Sequence, residues 1–154
     1  SCGASSRIVL PSTGHYIRAL SFAHTDENKA VLHFKLPKGY DGGTIDAYID
    51  WFSTGTTSNS VKFAIAGRSI GDGESLDSAV GSEASVVDSA QGTAYLQLTS
   101  GAITGITLAG TPAGGEKCKL VLMRKPADPS DNLDETIYVT EVTLRIGVNR
   151  WSEE

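Results

Sequence analysis

Gly67-Arg68-Ser69-Ile70-Gly71 is a literal G-x-S-x-G, the spacing in which two glycines let a strained turn push a serine hydroxyl forward as a nucleophile. That chemistry needs a strand-to-helix turn at the head of a parallel sheet, with a histidine and an acid behind the serine. Here the motif follows the apolar run "VKFAIA" and continues into Gly71-Asp72-Gly73, a second turn signal where a helix should begin. Ser69 is therefore expected at a strand end, and no catalytic residue is assigned. His15, His24 and His33 lack the H-x-x-x-H spacing of a zinc site, and no carboxylate stands at a matched offset. Acids gather at Asp26-Glu27, at Asp72 and Glu74, and in "DPSDNLDE" (Asp128, Asp131, Asp134, Glu135), yet none follows the calcium-loop pattern. They read as solvated turns in which Asp and Asn bond their own backbone, so no metal and no cofactor is expected, with calcium in the last loop kept as an outside hypothesis.

Binding chemistry has more to work with. Trp51 and Phe63 lie in the apolar phase of their segments and are expected in the core, whereas Tyr48 and Tyr95 fall in the opposite phase. Together with His33, on the outward phase of its own segment, they form a candidate interface. Ile8, Val9 and Leu10 stand in an otherwise small and polar N-terminal stretch, an apolar patch that gains burial only against another body. Asp41-Gly42-Gly43, in contrast, is read as a structural turn: it supplies positive φ where the chain leaves a Pro37 loop and starts an alternating run.

The elements that must carry these residues have a period of two. Leu32, Phe34 and Leu36 oppose Val31, His33 and Lys35, and Ile45, Ala47, Ile49 and Trp51 oppose Asp46, Tyr48 and Asp50. Similar runs follow at Val61-Phe63-Ile65, Ala94-Leu96-Leu98, Ile106-Leu108, Cys118-Leu120-Leu122 and from Tyr138 to Val148, about seven to nine strands in all. Turn residues fill the gaps, and the 17 glycines suit a protein with many turns. The one helical candidate is "GESLDSAVG", where Leu76, Ala79 and Val80 make a short stripe and Gly81 offers a stop. The expected fold is all-β, an antiparallel β-sandwich of jelly-roll type with one short helix. Residues 1–14 form an extended N-terminal arm and residues 15–154 the sandwich domain.

Composition narrows the partners. The chain has 154 residues with 40% hydrophobic content, enough for one domain that buries roughly 70% of its unfolded surface. Thirteen basic residues against 18 acids, a formal charge of -5, argue against a grip on nucleic acid, which draws on counterion release at basic surfaces. No run approaches the roughly 20 apolar residues of a spanning helix, and no basic start with an apolar stretch marks an export signal, so a soluble product of the cytoplasm is expected. The two cysteines, Cys2 and Cys118, are too few for a disulfide framework. Cys118 alternates with Leu120 and Leu122 as a small core residue, and a Cys2–Cys118 bridge is the minor alternative.

The stretch "LSFAHTDENKAVLHFKLPKGYDGGTIDAYIDWF" resembles small bacteriophage virion proteins, the head-decoration and fibre-tip β-sandwich family: an alternating strand ends in Pro, and a Tyr-Asp-Gly-Gly-Thr turn leads to a strand closing on Trp. "AIAGRSIGDGESLDSAVGSEASVVD" is similar to that family's crossing segment, and "LAGTPAGGEKCKLVLMRKPADPSDNLDETIYVTEVTLRI" to its closing strands. The resemblance implies a non-enzymatic capsid decoration protein on the outer surface of a virion. It further implies a homotrimer that binds itself and the major capsid protein, with the arm and its Ile8, Val9 and Leu10 reaching a neighbour. The alternative is a receptor- or glycan-binding fibre-tip module that uses outward tyrosines and acidic loops. A small hydrolase acting through Ser69 ranks third.

Overall fold

The computed structural model describes residues 4–149. Eleven strands follow one another: β1 (Ala4–Val9), β2 (Tyr16–Phe22), β3 (Lys29–Lys35), β4 (Tyr40–Ser53), β5 (Ser60–Ile70), β6 (Ala84–Ser89), β7 (Leu98–Thr99), β8 (Ile103–Ile106), β9 (Leu108–Ala109), β10 (Lys117–Arg124) and β11 (Ile137–Val148). They build two sheets. In the first the order is β1-β2-β11-β4-β7, with β8 also on β4; in the second it is β3-β10-β5-β6, with β9 lying parallel to β5. Every other pairing is antiparallel.

Alternation in the strands explains why two layers form. Ile45, Ala47, Ile49 and Trp51 of β4, with Ile137 and Val139 of β11, face Val61, Phe63 and Ile65 of β5 and Cys118, Leu120 and Leu122 of β10, and all of them are buried in one core. Trp51 meets Phe63 edge to face at 5.9 Å, and its indole N–H donates to Asp88 Oδ2 at 2.7 Å, so the polar end of the largest core side chain is satisfied. Each fully buried aliphatic or aromatic side chain contributes roughly 1.5–3 kcal/mol.

One buried charge is built into this apolar interior. Arg124, at the end of β10, is wholly inaccessible, as is the Asp131 side chain that receives its Nε at 3.0 Å and its Nη2 at 2.8 Å. The remaining guanidinium donors reach the carbonyls of Phe22, Leu133 and Glu135. One residue thus pins the loop between β10 and β11 to the end of β2. The same loop is held from its other side by Asp128, whose carboxyl lies well below the usual carboxylate range because Lys62 and Ser130 both donate to it.

Two features of the expected fold class need correction. Among the described residues there is no helix: "GESLDSAVG" is a chain of turns lying over the outer side of the second sheet. Its carbonyls, which a helix would keep for itself, are taken by neighbours. Lys119 Nζ binds those of Leu76 and Ser78 at 2.6 and 2.8 Å, and Arg68 Nη1 that of Ala79 at 3.2 Å. Leu76 stays 57% exposed, and only Val80 of the stripe packs down, against Ala64, Ala66 and Met123. Second, the stretch read as an extended arm is, from Ala4 to Val9, a strand paired residue for residue with β2 through a turn in which Gly14 takes φ +71°. Residues 1–3, including Cys2 and with it the alternative bridge to Cys118, lie outside the described residues.

The buried ion pair makes a clear prediction. Arg124→Met should destabilise the fold by about 3–5 kcal/mol, because it leaves Asp131 charged, buried and alone. The double variant Arg124→Met/Asp131→Leu should recover part of that loss, though not the bonds to the two loop carbonyls and the Phe22 carbonyl. Urea unfolding of the three proteins measures both effects.

Candidate functional site

Along β4 and β11 the side chains that do not enter the core form the outer face of the first sheet. The register sets their neighbours: Phe52 opposite Tyr138, Asp50 opposite Glu141, Tyr48 opposite Thr143 and Asp46 opposite Arg145. A bulge at Thr140 advances β11 by one residue, and without it Val142, Leu144 and Ile146 would point outward and the polar residues inward. The bulge therefore creates the composition of this face.

At one end three rings stack in a row. Phe52 is covered on one side by Tyr138, at 5.1 Å between centroids and 21° between planes, and on the other by Tyr95, at 6.1 Å and 26°. Tyr95 precedes β7 and reaches this position with φ +60°, the one non-glycine residue of positive φ among the described residues; its N–H donates to Ser53 O at 2.8 Å. A bulky residue held in that region is strained, and such strain gathers where a side chain must be presented. Tyr95 remains 38% exposed while Phe52 is buried, so the phenol is the open end of the row.

Beyond the rings the face turns polar. Asp50 accepts the Thr99 hydroxyl at 2.6 Å, and Asp46 accepts the Gly105 N–H at 3.3 Å. The Arg145 guanidinium lies 5.6 Å from the centre of the Tyr48 ring instead of forming an ion pair with Asp46. Among the described residues no salt bridge engages Asp46, Asp50, Glu141 or Arg145. A stacked aromatic row with the Tyr95 ring at its open end, beside acceptors and a forked donor without ionic partners among the described residues, suits a ligand with an apolar face and many hydroxyls.

The other sequence candidates fall elsewhere. Tyr48 and Tyr95 share this face, but His33 belongs to β3 in the second sheet, on the rim of a cleft of ≈ 390 Å³ between β3 and β11. That cleft has a largely aliphatic floor including Leu20, Leu32, Val142 and Leu144, with Phe34, Arg18 and Glu141 also in its lining, and it lacks the stacked row of rings found on the outer face. In β1, Ile8 sits opposite Ile17 and is half-buried while Val9 is 46% exposed, and Leu10, just past the strand, is half-buried. Asp41-Gly42-Gly43 starts β4: Gly43 N–H donates to Asp41 Oδ1 at 2.8 Å, and Gly42 takes φ +82°. Phe52, Tyr138 and Arg145 were not singled out from sequence; outward phase was a signal for Phe52 and Arg145, whereas Tyr138 shares the phase of Val142 and Leu144 and turns outward only because of the bulge at Thr140.

Ser69 is no nucleophile. It is buried within β5, its hydroxyl directed to the Ala109 carbonyl at 3.5 Å, and β5 runs on to Ile70 with no helix after it. Gly67 has a packing reason instead, since a Cβ there would lie 2.6 Å from Leu120 Cδ2 and 2.7 Å from Leu108 Cδ2. The acids of "DPSDNLDE" serve separate partners: Asp128 binds Lys62, Asp131 binds Arg124, Asp134 lies 3.5 Å from His24, and Glu135 accepts from Thr57 at 3.0 Å. No group of three potential metal ligands forms among the described residues.

No family model and no curated protein matches the chain. Among solved structures it is similar to TmCBM61 in complex with β-1,4-galactotriose, at 16% identity and a TM-score of 0.44, over 94% of this chain and 83% of that one. The resemblance to phage virion proteins is overturned, and with it the capsid-decoration reading: no virion family model and no curated virion protein matches the chain. The motifs behind that resemblance are mostly turns, which any antiparallel sandwich requires.

Cys118 provides a check on this placement of nucleophiles. Burial first, and then the nearby Glu116 charge, push its thiol up to about 11, so it stays neutral at ordinary pH. In a Cys2→Ser background, iodoacetamide at pH 8 should leave Cys118 unlabelled in the folded protein and label it fully in guanidinium. Mass spectrometry reads the difference.

Proposed function

We propose that the chain is a non-catalytic glycan-binding module that holds an oligosaccharide on the outer face of its first sheet. The observation that carries this reading is the pairing, on one exposed surface, of the Tyr95–Phe52–Tyr138 row with Asp46, Asp50, Glu141 and Arg145, none of which is spent on a salt bridge among the described residues. A pyranose ring has an apolar face that lies against an aromatic ring, and hydroxyls around its edge that both donate and accept. Carboxylates take the donors, and the Arg145 fork supplies hydrogens to the acceptors. Because Phe52, Tyr138 and the polar groups sit on two adjacent paired strands, and Tyr95 is tied to β4 through its N–H to Ser53 O, the surface is assembled before any ligand arrives, which keeps the ordering cost of binding low.

The reading follows from the face itself, and surface burial would be modest, so affinity is expected in the micromolar range that few contacts support. A glycan array that includes β-1,4-galactotriose, followed by calorimetry on the hits, tests it. Tyr95→Ala and Arg145→Ala should each weaken binding about tenfold while circular dichroism stays unchanged. Failure to retain any glycan, or full affinity in the Tyr95→Ala protein, would end this assignment.

A further inference from the structure

Asp50 and Glu141 are direct partners across β4 and β11, both on the outward face. Like charges in this position repel, since directly opposed side chains have Cβ atoms about 4.5–5.5 Å apart. Among the described residues no salt bridge reaches either carboxylate, and the guanidinium on this face, Arg145, is two outward pairs further along the register and lies over Tyr48. Thr99 donates to Asp50 Oδ1, but a hydroxyl cancels no charge, and Glu141 is exposed with no hydrogen bond to set against the repulsion. The third carboxylate, Asp46, adds to the same sign. A sheet under no other demand would carry a lysine or threonine opposite Asp50, so this pair costs stability that folding alone does not explain.

We infer that Asp50 and Glu141 determine the specificity of the glycan face, and that its ligand is an uncharged oligosaccharide, with uronic-acid and sulfated chains rejected. This deepens the proposed function and rests on it. Ionised carboxylates only accept hydrogen bonds, so the pair matches vicinal hydroxyls that can each donate. An anionic sugar in the same place would put a further negative charge within a Debye length, about 8 Å at physiological salt, of three carboxylates. A site gains selectivity from such a repulsive element at little expense to the ligand it accepts. Tyr48 and the aromatic row are indifferent to ligand charge, and Arg145 offsets only one of the three carboxylates, so the face discriminates by its net negative charge.

Affinity electrophoresis of the full chain against neutral polysaccharides (β-1,4-galactan, mixed-linkage β-glucan, xylan) and acidic ones (polygalacturonate, heparin) tests this, with Glu141→Gln run in parallel. Retention by at least one neutral chain and by no acidic chain is expected. Glu141→Gln should raise Tm, weaken the neutral ligand about fivefold, and admit acidic chains. Equal retention by acidic and neutral chains would overturn the charge selection while leaving a glycan face in place, as would a Glu141→Gln protein with altered Tm but unaltered selectivity. Retention by none would overturn the glycan face and this inference together.

Discussion

The pairing of β4 with β11 is the constraint on which the rest of the molecule depends. These are the two longest strands, and they lie side by side in the middle of the first sheet. Their inward side chains supply the first sheet's share of the core, and their outward side chains supply nearly all of the candidate site. Because a strand's side chains alternate, the two sets are locked together: whatever fixes the register for burial also fixes which polar groups stand next to the rings. The bulge at Thr140 is the hinge of this arrangement. It also marks the point where β11 ceases to pair with β2, so the cleft beside β3 opens from the same irregularity.

A second device keeps the frame closed where sheet hydrogen bonds end. The long loop between β10 and β11 would be a poorly held excursion if it depended on apolar contacts alone, since Leu133 is its main buried hydrophobe. Arg124 and Asp131 replace those contacts with a fully enclosed ion pair whose spare donors take the loop's carbonyls. An ion pair so buried is weak evidence of net stability, because both charges surrender their hydration. Its value lies in direction: the fork fixes the loop's path, and thereby the point at which Tyr138 enters the first sheet beside Phe52.

The failed resemblance and the missing helix have a common cause. Gly-Asp-Gly, Pro-Ala-Gly-Gly and Tyr-Asp-Gly-Gly answer local requirements of backbone shape, and those requirements recur in sandwiches of unrelated function. The stripe Leu76, Ala79 and Val80 has helical spacing, but so short a segment cannot offset the cost of nucleating a helix, and side chains from β5 and β10 compete for its carbonyls. In both cases a short sequence pattern was consistent with several structures, and longer-range contacts selected among them.

The alternation in Ile45 to Trp51, Val61 to Ile65 and Cys118 to Leu122 determined by itself that the chain forms sheets, that Trp51, Phe63, Cys118 and Leu120 enter the core, and that Tyr48 does not, whereas Tyr95 lies in a turn that alternation does not govern. Period-two polarity is a local property, and burial of one face follows from it. Which outward residues become neighbours was decided only by the tertiary structure. Tyr95 meets Phe52 across a gap of more than forty positions, and Glu141 meets Asp50 only because the strands pair in one register with one bulge. His33 was legible as outward-facing, but its separation from the two tyrosines depends on sheet membership, which is set by how the core closes and not by any feature of the strand that carries it.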